Sequence, residues 1–127
     1  MRRHDFRAKS NGIWVSGSLI EYGNEAYITF EVGERIYTVA VDKDTVCEST
    51  GTMDKEYTSI YEGDIVRFDF ENGCDSEYCL VKWDEKYCRF ITIDAKTGFV
   101  EDLSDVSEVG VLAGNKYDNP ELMELFK

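Results

Sequence analysis

Proline occurs once, as Pro120, and histidine once, as His4. With a single imidazole, His-rich metal sites and Ser/His or Cys/His catalytic pairs have almost no material to draw on. His4 lies among Arg2, Arg3 and Arg7, where a solvated terminal segment is expected. No apolar run approaches the ~20 residues of a membrane helix. The start, MRRHDFRAKSNG, is charged without an apolar stretch after it, so no secretory leader is expected. These absences point to the cytoplasm and to reduced cysteines. Basic residues are also scarce: 14 Lys and Arg stand against 26 Asp and Glu, a formal charge of −12. Direct nucleic-acid binding is disfavoured, because it requires cations to displace counterions. An anionic membrane is disfavoured for the same reason, whereas solubility or a basic partner fits. Neither a glycine-rich phosphate loop nor a nucleophile elbow is present.

Cysteine is available but badly spaced for metal. Cys74, Cys79 and Cys88 lack the paired short spacings of structural zinc sites, and Cys47 is remote from them. Cys79 alternates onto the side of Val81 and Trp83, where a thiol packs as a small hydrophobe.

What the chain does contain is short alternating segments. Ala26, Ile28, Phe30 and Val32 share one side of AYITFEV; Val66, Phe68 and Phe70 share one side of IVRFDFE. Period-two patterns of this length predict strands with one buried face. Turn signals separate them at Gly23-Asn24, Gly33-Glu34, Asn72-Gly73 and Lys96-Thr97-Gly98. Together they predict an all-β sandwich or barrel.

Helix is expected mainly at DNPELMELFK. Asn119 is placed to cap it, Pro120 to open it and Glu121 to oppose its positive end. Leu122, Met123, Leu125 and Phe126 make one side apolar, and two turns do not persist alone in water. The helix must therefore dock, either on its own barrel or on a neighbouring subunit. A second short turn is expected in EDLSDVSEV, capped by Asp102 or Ser104. Glu62-Gly63-Asp64, between Tyr61 and Ile65, reads as a tight turn entering a core strand. Glycine permits the backbone, and aspartate bonds back to nearby amides.

Three ordered motifs give the chain a family resemblance. The first is FRAKSNGIWVSGSL, with Phe6-Arg7, Trp14-Val15 and Gly17-Ser18-Leu19. The second is TVCESTGTMDKEYTSIYEGDIVRF, through Thr45-Val46, Thr50-Gly51, Asp54-Lys55 and the segment Ile60 to Val66. The third is VGVLAGNKYDNPELM, through Gly114-Asn115, Tyr117 and Asn119 to Leu122. Across nearly its whole length the chain resembles the YopX family of phage and prophage proteins. Cys47 and Glu48 depart from that family's usual Gly-Gln, and Glu56-Tyr57 replaces a common Asn-Gly turn. The resemblance implies an SH3-type, partly open barrel with a short C-terminal helix, a phage origin, self-association and no assigned catalysis. One domain over 1–127 is expected, with hairpins at 1–42, a barrel-like core at 43–114 and a helical tail at 115–127.

Gly51, Tyr61, Gly63, Asp64, Asn119, Leu122 and Phe126 are the candidate structural or interaction residues. No catalytic, cofactor-binding or metal-binding residue is assigned. The eight tyrosines are expected to serve strand packing more than an interface. Two acidic clusters, Asp69, Glu71, Asp75 and Glu77, then Glu101, Asp102, Asp105 and Glu108, are expected in solvated loops. The leading expectation is a non-enzymatic phage protein that self-associates and binds protein in a bacterial cytoplasm. Its rivals are an acidic DNA mimic occupying a basic DNA-binding protein, and a small-molecule binder or hydrolase using loop carboxylates. That last possibility requires a pocket with perturbed acids.

Overall fold

The structure, a computed structural model, describes residues 5–69 and 76–127. His4, Phe70, Glu71, the Asn72-Gly73 turn, Cys74 and Asp75 lie outside the described residues. The chain divides into two compact units, Met1–Ser49 and Thr50–Lys127.

In the first unit, β1 (Phe6–Ser10), β2 (Ile13–Tyr22), β3 (Glu25–Val32) and β4 (Arg35–Val41) form an antiparallel meander. The start of β5 (Cys47–Met53) pairs with the outer side of β1, Phe6 opposite Glu48. Hairpins turn at Gly23-Asn24 and Gly33-Glu34, as the sequence predicts. A third turns at Asn11-Gly12, where both residues take positive φ (51° and 80°). Gly17 is the pivot of the long strand β2. Before it, β2 pairs with β1; from Ser18 onward it pairs with β3. A Cβ at Gly17 would stand 2.2 Å from the Thr29 carbonyl oxygen, so only glycine allows the strand to switch partners so tightly. Ala26 and Ile28 are buried as the alternation predicts, but Val32 at the hairpin end is exposed.

In the second unit the remainder of β5 neighbours β6 (Ser59–Tyr61). A five-stranded antiparallel sheet runs β10 (Val100–Asp102), β9 (Arg89–Asp94), β8 (Ser76–Asp84), β7 (Asp64–Asp69), β11 (Val111–Asn115). Its core is Ile60, Val66, Val81, Leu103 and Val106, with Phe68, Phe90 and Leu112 packed against it. Leu103 and Val106 come from α1 (Leu103–Ser107), whose N-cap Asp102 accepts the Ser104 amide at 3.0 Å, as predicted. The expectation of one buried face fails in β7 and β8. Asp64, Ile65 and Val66 are all buried, as are Cys79, Leu80 and Val81, so both faces are covered there. The all-β expectation holds: the described strands form two antiparallel sheets, with no closed barrel. No helix among the described residues is long and apolar enough to cross a membrane.

The tail forms α2 (Pro120–Met123) and a 3-10 turn at Glu124–Phe126. Pro120 occupies its first turn, but Asn119 does not cap it through its side chain. Its Oδ1 instead accepts the Asn115 amide at 3.1 Å, and its Nδ2 donates to Glu121. That oxygen lies 2.3 Å from where a Cβ on Gly114 would be, so the bare glycine draws the side chain back onto the loop.

Candidate functional site

Three acids come together on three adjacent strands of the second unit, Glu77 on β8, Asp94 on β9 and Glu101 on β10. Cys79 sits opposite Asp94, and Glu101 sits opposite Thr92, so these four side chains share a sheet face. Glu77, two residues before Cys79, lies on the same face. With Thr97 and Phe99 they line an open cleft of about 200 Å³. The turn after β9 is built by Asp94 itself, whose Oδ1 accepts the Lys96 and Thr97 amides at 2.8 and 2.9 Å. Burial opposes ionisation of Asp94, but those amides prevail and hold its carboxyl below the usual carboxylate range. Glu77 moves the other way: desolvation, then the charge and hydrogen bond of Asp94, raise it. Of the two, Glu77 therefore holds its proton to the higher pH. Burial and the surrounding carboxylates push the Cys79 thiol up to about 12, so it stays protonated and packs as a hydrophobe.

The Glu77–Asp94 pair thus supplies the perturbed acids that a small-molecule site requires, in a shallow setting. The cleft is below the roughly 300–1,000 Å³ of ordinary ligand pockets. Among the described residues no group of three or more His, Cys, Asp or Glu side chains is placed to hold a metal ion. Sequence reasoning missed Asp94 because its partner Glu77 is set by strand register. Only the Lys96-Thr97-Gly98 corner is a local signal for it.

The sequence-predicted residues gather elsewhere in the same unit. Gly63 has φ +88°; its amide donates to Val81 and its carbonyl accepts from Lys116, both at 2.9 Å. Asp64 is buried and accepts the Tyr61 amide at 2.8 Å, closing the predicted turn. Asp64 also pairs across the sheet with Asn115, which Asn119 holds. Tyr61, Gly63, Asp64 and Asn119 therefore meet around one corner, and they meet to shape backbone. Gly51 takes φ +76° within β5, beside Thr50, whose hydroxyl donates to the Ile60 carbonyl at 2.7 Å. Leu122 and Phe126 are half-buried, and Leu125 is 47% exposed beside a hollow lined by Tyr78, Ala95 and Lys96.

A second buried carboxylate escaped the sequence. Asp54, 5% exposed, accepts the Glu56 and Thr58 amides on Oδ1 and the Leu112 amide on Oδ2, each at 2.9 Å. It ties the turn between β5 and β6 to β11. Tyr57, within that turn, has φ +63° and is 85% exposed. This is where an Asn-Gly turn would sit without strain. Tyr22, Tyr37 and Tyr87 are exposed as well, so half of the eight tyrosines reach solvent.

Charge is divided unequally. Of the 14 basic and 26 acidic residues, residues 1–49 hold 6 and 8, and residues 50–127 hold the other 8 and 18. The second unit thus carries most of the negative charge, and the first is nearly balanced.

No curated protein matches the chain. The family described as YopX protein matches residues 5–124, and on that coverage the chain belongs to the YopX family.

Proposed function

We propose that this protein is a phage-encoded, non-enzymatic binding protein of the bacterial cytoplasm, and that it self-associates. The observation supporting this reading is the apolar surface of the first unit. Ile20, Tyr22 and Ile36 project into solvent from one face of a nearly neutral sheet, and Ile13, Val32 and Tyr37 are exposed on its other face. Exposed apolar area on this scale marks contact surfaces. A weak net charge also lets two copies approach without strong mutual repulsion. The C-terminal helix is the poorer candidate for that contact, because Leu122, Met123 and Phe126 are each already half-buried. Light scattering of the whole chain tests the reading: an oligomer supports it, and a monomer throughout a concentration series rejects it.

The charge of the second unit favours one further reading, in which its acidic surface occupies a basic protein, including one that binds DNA. Salt-sensitive association with such a protein, in competition with DNA, supports it. A chain that never competes with DNA rejects it. The Glu77–Asp94 cleft gives a hydrolase or small-molecule binder less support, given its size.

A further inference from the structure

The even-numbered residues of β2 point away from buried Ala8, and the register of the meander extends that open face across four strands. Lys9 lies opposite Trp14, Ile20 opposite Tyr27, Tyr22 opposite Glu25, and Glu31 opposite Ile36. All of these side chains therefore share one face. Arg7 and Lys9 sit over the Trp14 ring at 4.7 and 5.3 Å, forming a basic end on β1. Glu25 and Glu31 form an acidic side on β3. Between them on β2 lie Ile20 and Tyr22, exposed by 47% and 80%, and beyond β3 the same face continues to Ile36 on β4, exposed by 68%. These three leave on the order of 400 Å² in water, about half of what each partner of a stable interface buries. Tyr27, Ala40 and the paired hydroxyls of Thr29 and Thr38 extend the same surface.

We propose that this face of β1–β4 docks a second copy of the chain across a two-fold axis, with Arg7 and Lys9 of each copy over Glu25 and Glu31 of the other. This rests on the self-association proposed above and assigns it a surface. The face is charge-segregated, and a two-fold operation superposes its basic end on its acidic side, which makes it complementary to itself. A basic partner would find the second unit more attractive, and an acidic one would meet Glu25 and Glu31.

Sedimentation velocity on the whole chain and on two separate variants, Tyr22→Glu and Ile36→Glu, tests this. Both positions are exposed, so circular dichroism and melting should match the parent, and a Leu125→Glu control should assemble normally. The proposal expects each face variant to weaken the dimer at least about tenfold. It also expects added salt to weaken the parent dimer by screening the charge pairs. A dimer that survives both substitutions, or that is indifferent to salt, overturns this face while leaving self-association standing. A parent that is monomeric throughout overturns both.

Discussion

Replacing Asp54 with alanine removes one buried carboxylate and the three backbone amides it accepts, from Glu56, Thr58 and Leu112. The Leu112 amide is the costly loss, because its donor is half-buried on β11 and a charged acceptor is worth about 1.5–3 kcal/mol. Glu56 and Thr58 are exposed, so water replaces part of their bonds, at about 0.5–1 kcal/mol each. Asp54→Ala should therefore destabilise the second unit by about 3–4 kcal/mol. Asp54→Asn keeps one oxygen, which stays with the two turn amides while its NH2 group faces Leu112. A donor then meets a donor, and the cost is about 1.5–2 kcal/mol. The assay is favoured by the sequence, which has two tryptophans, Trp14 in the first unit and Trp83 in the second. With Trp14→Phe as background, urea unfolding followed by fluorescence reports the second unit alone. A shift below about 1 kcal/mol for Asp54→Ala, or an Asn variant worse than the Ala variant, refutes the clasp.

Tyr57→Gly relieves a left-handed backbone worth about 1–2 kcal/mol and adds about 0.4–1 kcal/mol of unfolded-chain entropy. A net gain of about 0.5–1 kcal/mol in urea unfolding is expected, and a loss contradicts the strain argument. Gly63→Val should cost about 1–3 kcal/mol through its positive φ, with the Lys116 side chain also displaced, while Asp64→Asn costs less. The reverse order contradicts the turn assignment. Glu77 titrates above its usual value of 4.5 in the folded chain, so the folded state holds a proton the unfolded one has released. Stability from that proton is lost as pH rises from about 4.5 through the raised value. Asp102 is lowered, first by the Ser104 amide, so its contribution is lost as pH falls below 3.8. Glu77→Gln should thus gain on the parent as pH rises through that window, and Asp102→Asn should gain on it as pH falls. Parallel melting profiles across pH would contradict both.

The fold class and several turns were legible because their signals are local. Gly33-Glu34 and Glu62-Gly63-Asp64 carry their own turn chemistry, and Asp102 caps the helix that follows it directly. Asn11-Gly12 was equally legible, since it is the same dipeptide as Asn72-Gly73. What local patterns do not carry is register. Glu77 meets Asp94, and Asp54 reaches Leu112, only because particular strands pair. The cap assigned to Asn119 failed for a related reason: Gly114, five residues earlier, opens a competing place for its side chain. Alternation misjudged β7 and β8 because a pattern along one strand does not show whether the opposite face is covered too.

The central claim is that the chain self-associates through the open face of its first unit. Hydrogen–deuterium exchange of the whole chain, run over a series of protein concentrations, tests it most directly. The account predicts that amides of β2, β3 and β4 gain protection as concentration rises, while those of β7 to β11 do not. Exchange that is independent of concentration throughout the chain, or protection that grows only in the second unit, would contradict it.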